Sequence, residues 1–121
     1  NRWEPENGDV GYPEFNRIVR LISEQHDVLG KYVHRYFDDT KLHLASLRKV
    51  TAPGCRCFYV VGNSKFYDTM LPVEEIYAAM FEDAGFVEVG FEAIRKRNSK
   101  KELFEYVVYA TAPKDSALDA D

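Results

Sequence analysis

Cysteine is scarce in this chain: there are two in 121 residues, Cys55 and Cys57, separated by one arginine. Two positions apart on a strand, they share a face and make a poor disulfide with each other. A metal site would need a second cluster of ligands, and the sequence offers none. Two reduced, structural thiols are therefore expected, as in a cytoplasmic protein. Long apolar runs are also missing, so no membrane span is expected, because a spanning helix needs about 18 such residues. The opening Asn1-Arg2-Trp3-Glu4-Pro5 has neither the positive region nor the apolar region of a secretory signal. It also lacks a starting methionine, so a trimmed or excised chain is expected. Positive charge is not in excess: 16 Lys and Arg against 20 Asp and Glu leave a net charge of −4. No global field draws the chain to nucleic acid, and any such contact must come from a local cluster.

What is present is one domain's worth of ordinary globular sequence, 45% hydrophobic and 30% charged. Residues 1–13 carry Pro5, Gly8, Gly11 and Pro13 among charges and read as an irregular arm. From Glu14 the apolar residues Ile18, Leu21, Ile22, Leu29, Tyr32, Val33, Tyr36, Phe37, Leu44 and Leu47 recur at three- and four-residue steps. This predicts one long helix, or two helices bent near Gly30, ending around Val50. Ala52-Pro53-Gly54 stops it. Cys55–Val61 reads as a short strand closed by the loop signal Gly62-Asn63-Ser64. Pro72, Glu74 and Glu75 open a further helix, with Gly85 just past its end. Together with a strand over Phe86–Arg95 this makes a βαβ unit, with parallel strands and a right-handed crossover. In that strand Val87, Val89, Phe91 and Ala93 alternate with polar residues, whereas Leu103–Ala110 is nearly continuous apolar, as in a strand covered on both faces. The last strand is therefore expected inside the sheet, antiparallel, between the 55–61 and 86–95 strands, with a hairpin turn near Asn98-Ser99. Residues 113–121 read as an acidic, disordered tail.

These pieces resemble a known family. Tyr36-Phe37 through Leu47-Arg48-Lys49-Val50 and Ala52-Pro53-Gly54 resembles the "RVLKPGG" approach to the fifth strand of class I methyltransferases. Val60-Val61-Gly62-Asn63-Ser64 is similar to the "VVGNS" strand end of site-specific DNA (adenine- or cytosine-amino) modification methylases. Pro72-Val73-Glu74-Glu75-Ile76 with Ala84-Gly85-Phe86 resembles their next helix, and Arg95-Lys96-Arg97-Asn98-Ser99 their "RRNS" loop. The likeness covers residues 32–112. It implies a partial Rossmann-like α/β sheet with a long N-terminal helical region over 14–112, transfer of a methyl group from S-adenosylmethionine, and an exocyclic amine of adenine or cytosine in DNA as acceptor. The family's glycine-rich cofactor loop and its (D/N/S)PP(Y/F) catalytic tetrapeptide are both absent from the sequence. The chain is thus expected to be the C-terminal half of such an enzyme, inactive by itself and with no catalytic residues of its own. A non-catalytic module that binds nucleic acid or completes a partner chain is the alternative. A sheet cut at that point exposes an edge, so a homodimer, a complementing chain or poor solubility is expected.

Two clusters are candidate sites. Arg95, Lys96, Arg97, Lys100 and Lys101, with Asn98 and Ser99, form the one concentrated basic stretch in an acidic chain. It suits phosphate contacts to DNA, or else is a solvated turn. Gly62, Asn63, Ser64 and Lys65 follow the carboxyl end of a parallel strand, where ligands of open α/β sheets collect. They form a pocket wall, or a loop whose Asn and Ser bond their own backbone. His26, His34 and His43 lie more than two helical turns apart, too far to share a metal, and no serine has a partnered acid–base set. Tyr32, Tyr36, Phe37, Phe58, Tyr59, Tyr106 and Tyr109 are expected in the core.

Overall fold

A computed structural model describes residues 10–97 and 102–114. The order of elements is α1 (Phe15–Gln25), α2 (Asp27–Val50), β1 (Arg56–Gly62), β2 (Ser64–Phe66), β3 (Thr69–Leu71), α3 (Val73–Asp83), β4 (Val87–Lys96) and β5 (Phe104–Thr111). Three strands form a sheet in the order β1-β5-β4, with β5 antiparallel to both neighbours. β1 and β4 therefore run parallel, and the last strand in sequence fills the gap left between them by the α3 crossover. This is the order expected from the uneven hydropathy of the two final strands.

The helical region breaks at His26 rather than near Gly30. His26 leaves the helix at φ −156°, and its ring Nδ1 accepts a hydrogen bond from the Leu29 amide at 3.1 Å, capping α2. Gly30 serves close approach instead, since a β-carbon there would run into Ser23 of α1. α2 then continues unbroken to Val50. A second departure lies after β1. The stretch expected to be a loop contains the β2–β3 hairpin, with Ser64 paired to Leu71 and Phe66 to Thr69. Tyr67 and Asp68 turn it at φ +50° and +68°, the paired left-handed conformation of a tight hairpin turn.

The helices lie on one face of the sheet. Phe15, Phe37 and Phe81 are fully buried, and Phe15 meets Phe37 edge-on with ring centroids 5.5 Å apart. Tyr59 of β1 meets Phe81 of α3 at 5.5 Å, and Phe81 meets Phe86 at 5.1 Å. Each buried phenylalanine contributes on the order of 2–3 kcal/mol of hydrophobic stabilisation. The opposite face is bare among the described residues, so β5 is not covered on both sides. Strand alternation with the β1–β5 register groups Phe58, Val60, Val107 and Tyr109 on that face. Phe58 and Val60 are exposed there, and Tyr109 lies across Gly90, where a side chain would collide with its hydroxyl. Nor are Tyr32 and Tyr36 core residues, as their periodicity had suggested: both are exposed, because α2 buries the Val33–Phe37 side of the helix instead.

Candidate functional site

The two motif pieces at the end of β1 and the end of β4 meet in space. Asn63 is buried, and its side chain is used inside the fold. Its Oδ1 accepts from the Phe104 amide at 2.9 Å, and its Nδ2 donates to the Glu102 carbonyl at 2.9 Å and to Met70 Sδ at 3.6 Å. The amide thus closes the β1–β5 ladder and ties it to β3. Arg97 reaches past the end of β5, and its Nη1 donates to the Asn63 carbonyl. Gly62 makes room for it, since a β-carbon there would stand 2.7 Å from that nitrogen. The Gly-Asn pair and the arginine are one junction that fastens both outer strands to the central one.

The remaining candidate residues are distributed around this junction. Ser64 is half-buried on β2, and Lys65 Nζ bonds Glu102 Oε1 at 2.8 Å. That bond and the carboxylate's charge hold the ammonium pKa above its ordinary value. Arg95 pairs with Glu105 at 3.4 Å across the β4–β5 ladder, and Lys96 is exposed. Asn98, Ser99, Lys100 and Lys101 lie outside the described residues. Of the basic stretch, then, Arg97 is committed to the backbone of β1 and Arg95 faces a carboxylate.

The sequence reading missed a groove of about 400 Å³ between α2 and β1. Tyr32, Val33, Tyr36 and Phe37 of α2 form one wall, Tyr59 to Gly62 the other, and Ser64, Phe66, Leu71, Val73 and Tyr77 close the end. None of these residues carries a formal charge at neutral pH. The Tyr36 and Tyr77 hydroxyls lie 2.7 Å apart. Burial, then the bond from Tyr36, pushes the Tyr77 phenol up, and burial does the same for Tyr59. Both therefore stay neutral and can donate or accept one hydrogen bond. His43 Nε2 lies 3.0 Å from the Tyr59 hydroxyl at the rim. A signal for the groove was present in sequence: Val28, Tyr32 and Tyr36 repeat every four residues, beside the buried Val33–Phe37 row rather than within it.

This groove can bind an uncharged group, and among the described residues no reaction centre is assembled around it. Cys55 and Cys57 are free thiols, and burial, together with its neighbour Cys55, raises the Cys57 pKa away from thiolate reactivity. Among the described residues no group of three or more His, Cys, Asp or Glu could hold a metal ion, and no helix is long and apolar enough to cross a membrane. The turn after β1 runs into β2 rather than into a helix N-terminus, and Asn63 is already spent. Among the described residues these groups do not make up a complete S-adenosylmethionine site.

Comparison with protein-family models, with curated proteins and with solved structures returns no match for the chain.

Proposed function

We propose that this chain is the C-terminal part of a Rossmann-like DNA amino-methyltransferase. In this reading the rest of the enzyme holds S-adenosylmethionine and the catalytic tetrapeptide, and the chain alone is inactive. The acceptor is the exocyclic amine of adenine or cytosine, which must leave the base stack to be reached. The observation that supports the reading is the sheet: two parallel strands joined by a helical crossover, with the last strand inserted antiparallel between them. The four ordered motif pieces in the sequence agree with it. The test is methyl transfer from labelled S-adenosylmethionine to unmethylated duplex DNA by the complete encoded polypeptide, followed by nucleoside digestion. Labelled N6-methyladenine or N4-methylcytosine is expected, and label in neither overturns the reading. Binding of S-adenosylmethionine by the present 121 residues alone would overturn the claim that the cofactor is held elsewhere.

A second reading, a non-catalytic α/β module that binds nucleic acid or completes a partner, is favoured by the junction itself. Asn63 and Arg97, the most specific residues of the two motif pieces, hold strands together. In that case no methyl transfer occurs, while Arg95→Ala with Lys96→Ala lowers DNA affinity and its salt slope.

A further inference from the structure

We propose that His26 is a proton-sensitive joint: its ring caps α2 and fixes it against α1 only while the ring is neutral, and protonation opens the joint. This rests on neither reading of the function.

The joint is one residue long. α1 ends at Gln25 and α2 begins at Asp27, so His26 is both the end cap of one helix and the start cap of the next. It makes three hydrogen bonds in that double role. Its N–H donates to the Ile22 carbonyl at 2.9 Å, its carbonyl accepts from the Gly30 amide at 3.1 Å, and its Nδ1 accepts from the Leu29 amide at 3.1 Å. The first two use the backbone and are indifferent to pH. The third needs a bare lone pair on Nδ1, which the neutral ring has when its proton sits on Nε2, whereas a protonated ring donates from both nitrogens. Serine, threonine, asparagine and aspartate, the usual residues at a helix start, keep their acceptor oxygen throughout the range in which imidazole changes charge.

Two consequences of protonation act in the same direction. The Leu29 N–H, one of the orphan donors of the first turn, loses its side-chain partner. A positive charge also comes to stand at the positive end of α2, where it is repelled. The charged groups beside the ring are Glu24 near the end of α1 and Asp27 and Lys31 on α2. Asp27 pairs with Lys31 at 3.2 Å, so its charge is largely matched, and no carboxylate bonds the ring among the described residues. The opening is more than a frayed end, because the two helices touch at the first turn of α2. Leu29 packs against the core, and Gly30 lies directly on Ser23 of α1, which in turn packs on β3. The capped joint excludes a proton that the open joint accepts. Its stability is therefore full above the imidazole titration and declines as pH falls through it, between about pH 8 and 5.

The test uses the complete encoded polypeptide labelled with 15N-leucine and 15N-histidine. At about pH 8 the two ring nitrogen shifts of His26 are expected to report a proton on Nε2 and none on Nδ1. Protection of the Leu29 amide is its solvent-exchange rate corrected for the intrinsic effect of pH. It should fall about fivefold between about pH 8 and 5, the size of an ordinary lost cap, and the fall should follow the His26 ring signals. His26→Asn supplies an acceptor that does not titrate and should hold Leu29 protection level across the range, whereas His26→Ala should keep it low throughout. A neutral ring with its proton on Nδ1, or protection that does not follow the ring signals, overturns the proposal, and neither result needs a variant that folds. An equal fall in His26→Asn also overturns it, by placing the titrating group elsewhere.

Discussion

Replacing Asn63 with alanine removes three side-chain hydrogen bonds at one point of the sheet. The Met70 sulfur is a weak acceptor, so two bonds carry the effect: Phe104 N–H to Oδ1 and Nδ2–H to the Glu102 carbonyl, both 2.9 Å. An ordinary bond of this kind contributes about 1 kcal/mol net, and a buried group left unpaired costs about 1–3 kcal/mol. The Asn63 backbone also accepts from Arg97, so loosening the junction affects β4 as well as β5. A loss of about 2–3 kcal/mol is expected, a large fraction of the 5–15 kcal/mol by which domains are stable. For a chain of this size that corresponds to a fall of roughly 8–15 °C in Tm. Urea and thermal unfolding followed by circular dichroism measure it, and hydrogen exchange at the Phe104 amide localises it. Asn63→Asp separates the two bonds: it keeps an acceptor for Phe104 but sets a carboxylate oxygen against the Glu102 carbonyl, and it should be at least as damaging. If Asn63→Ala costs less than about 0.5 kcal/mol, the junction does not hold the strands and the argument fails.

Two further predictions concern groups away from the junction. Glu74 is buried, its Oε1 has no partner among the described residues, and burial raises its pKa above the ordinary carboxylate value. Ionising it costs more in the folded than in the unfolded state. Its contribution to stability is therefore most favourable below the unfolded pKa and declines as pH rises through the raised folded one. Glu74→Gln should accordingly gain on the unaltered chain in urea midpoint between pH 4 and 8, and a difference that shrinks with pH would refute the assignment. His26→Ala removes the side-chain acceptor at the start of α2 and should cost about 1 kcal/mol in chemical denaturation, as lost helix caps do. No measurable change would mean that Leu29 N–H is satisfied by water.

Much of the fold was legible because each signal was local or periodic. The Pro72 and Glu74-Glu75 start, the Gly85 stop at φ +101° and the end of α2 at Val50 follow from residues next to one another. The strand order followed from the contrast between alternating β4 and nearly continuous apolar β5. The β2–β3 hairpin was missed because Tyr67-Asp68 adopts a turn conformation usually signalled by glycine or asparagine, and its strands are three residues each. The break at His26 was missed because a histidine ring is an uncommon cap. Apolar character was read as burial, yet Tyr32, Tyr36, Phe58 and Val60 are exposed. Sequence records that a residue is apolar and not whether anything lies over it. Gly62 and Asn63 were singled out as a pocket wall and Arg97 as a DNA contact; the junction they form depends on a contact spanning 34 residues, which no local pattern carries.

The placement of β5 also dictates how the chain can be made. Its residues are the last of the sheet to leave the ribosome, yet they form its middle. Until Thr111 has emerged, β1 and β4 have no strand between them, and the edges that β5 will pair present unpaired N–H and C=O groups to solvent. The β1–β5 ladder joins residues 43 to 55 apart, from Gly62↔Glu105 to Arg56↔Thr111, and pairing at such range is slow and leaves the nascent chain open to aggregation. A ribosome that stalls before Phe104 would release β1 and β4 without the strand that joins them. Synthesis rate and chaperone supply, rather than equilibrium stability, would then set how much of this protein reaches its native state.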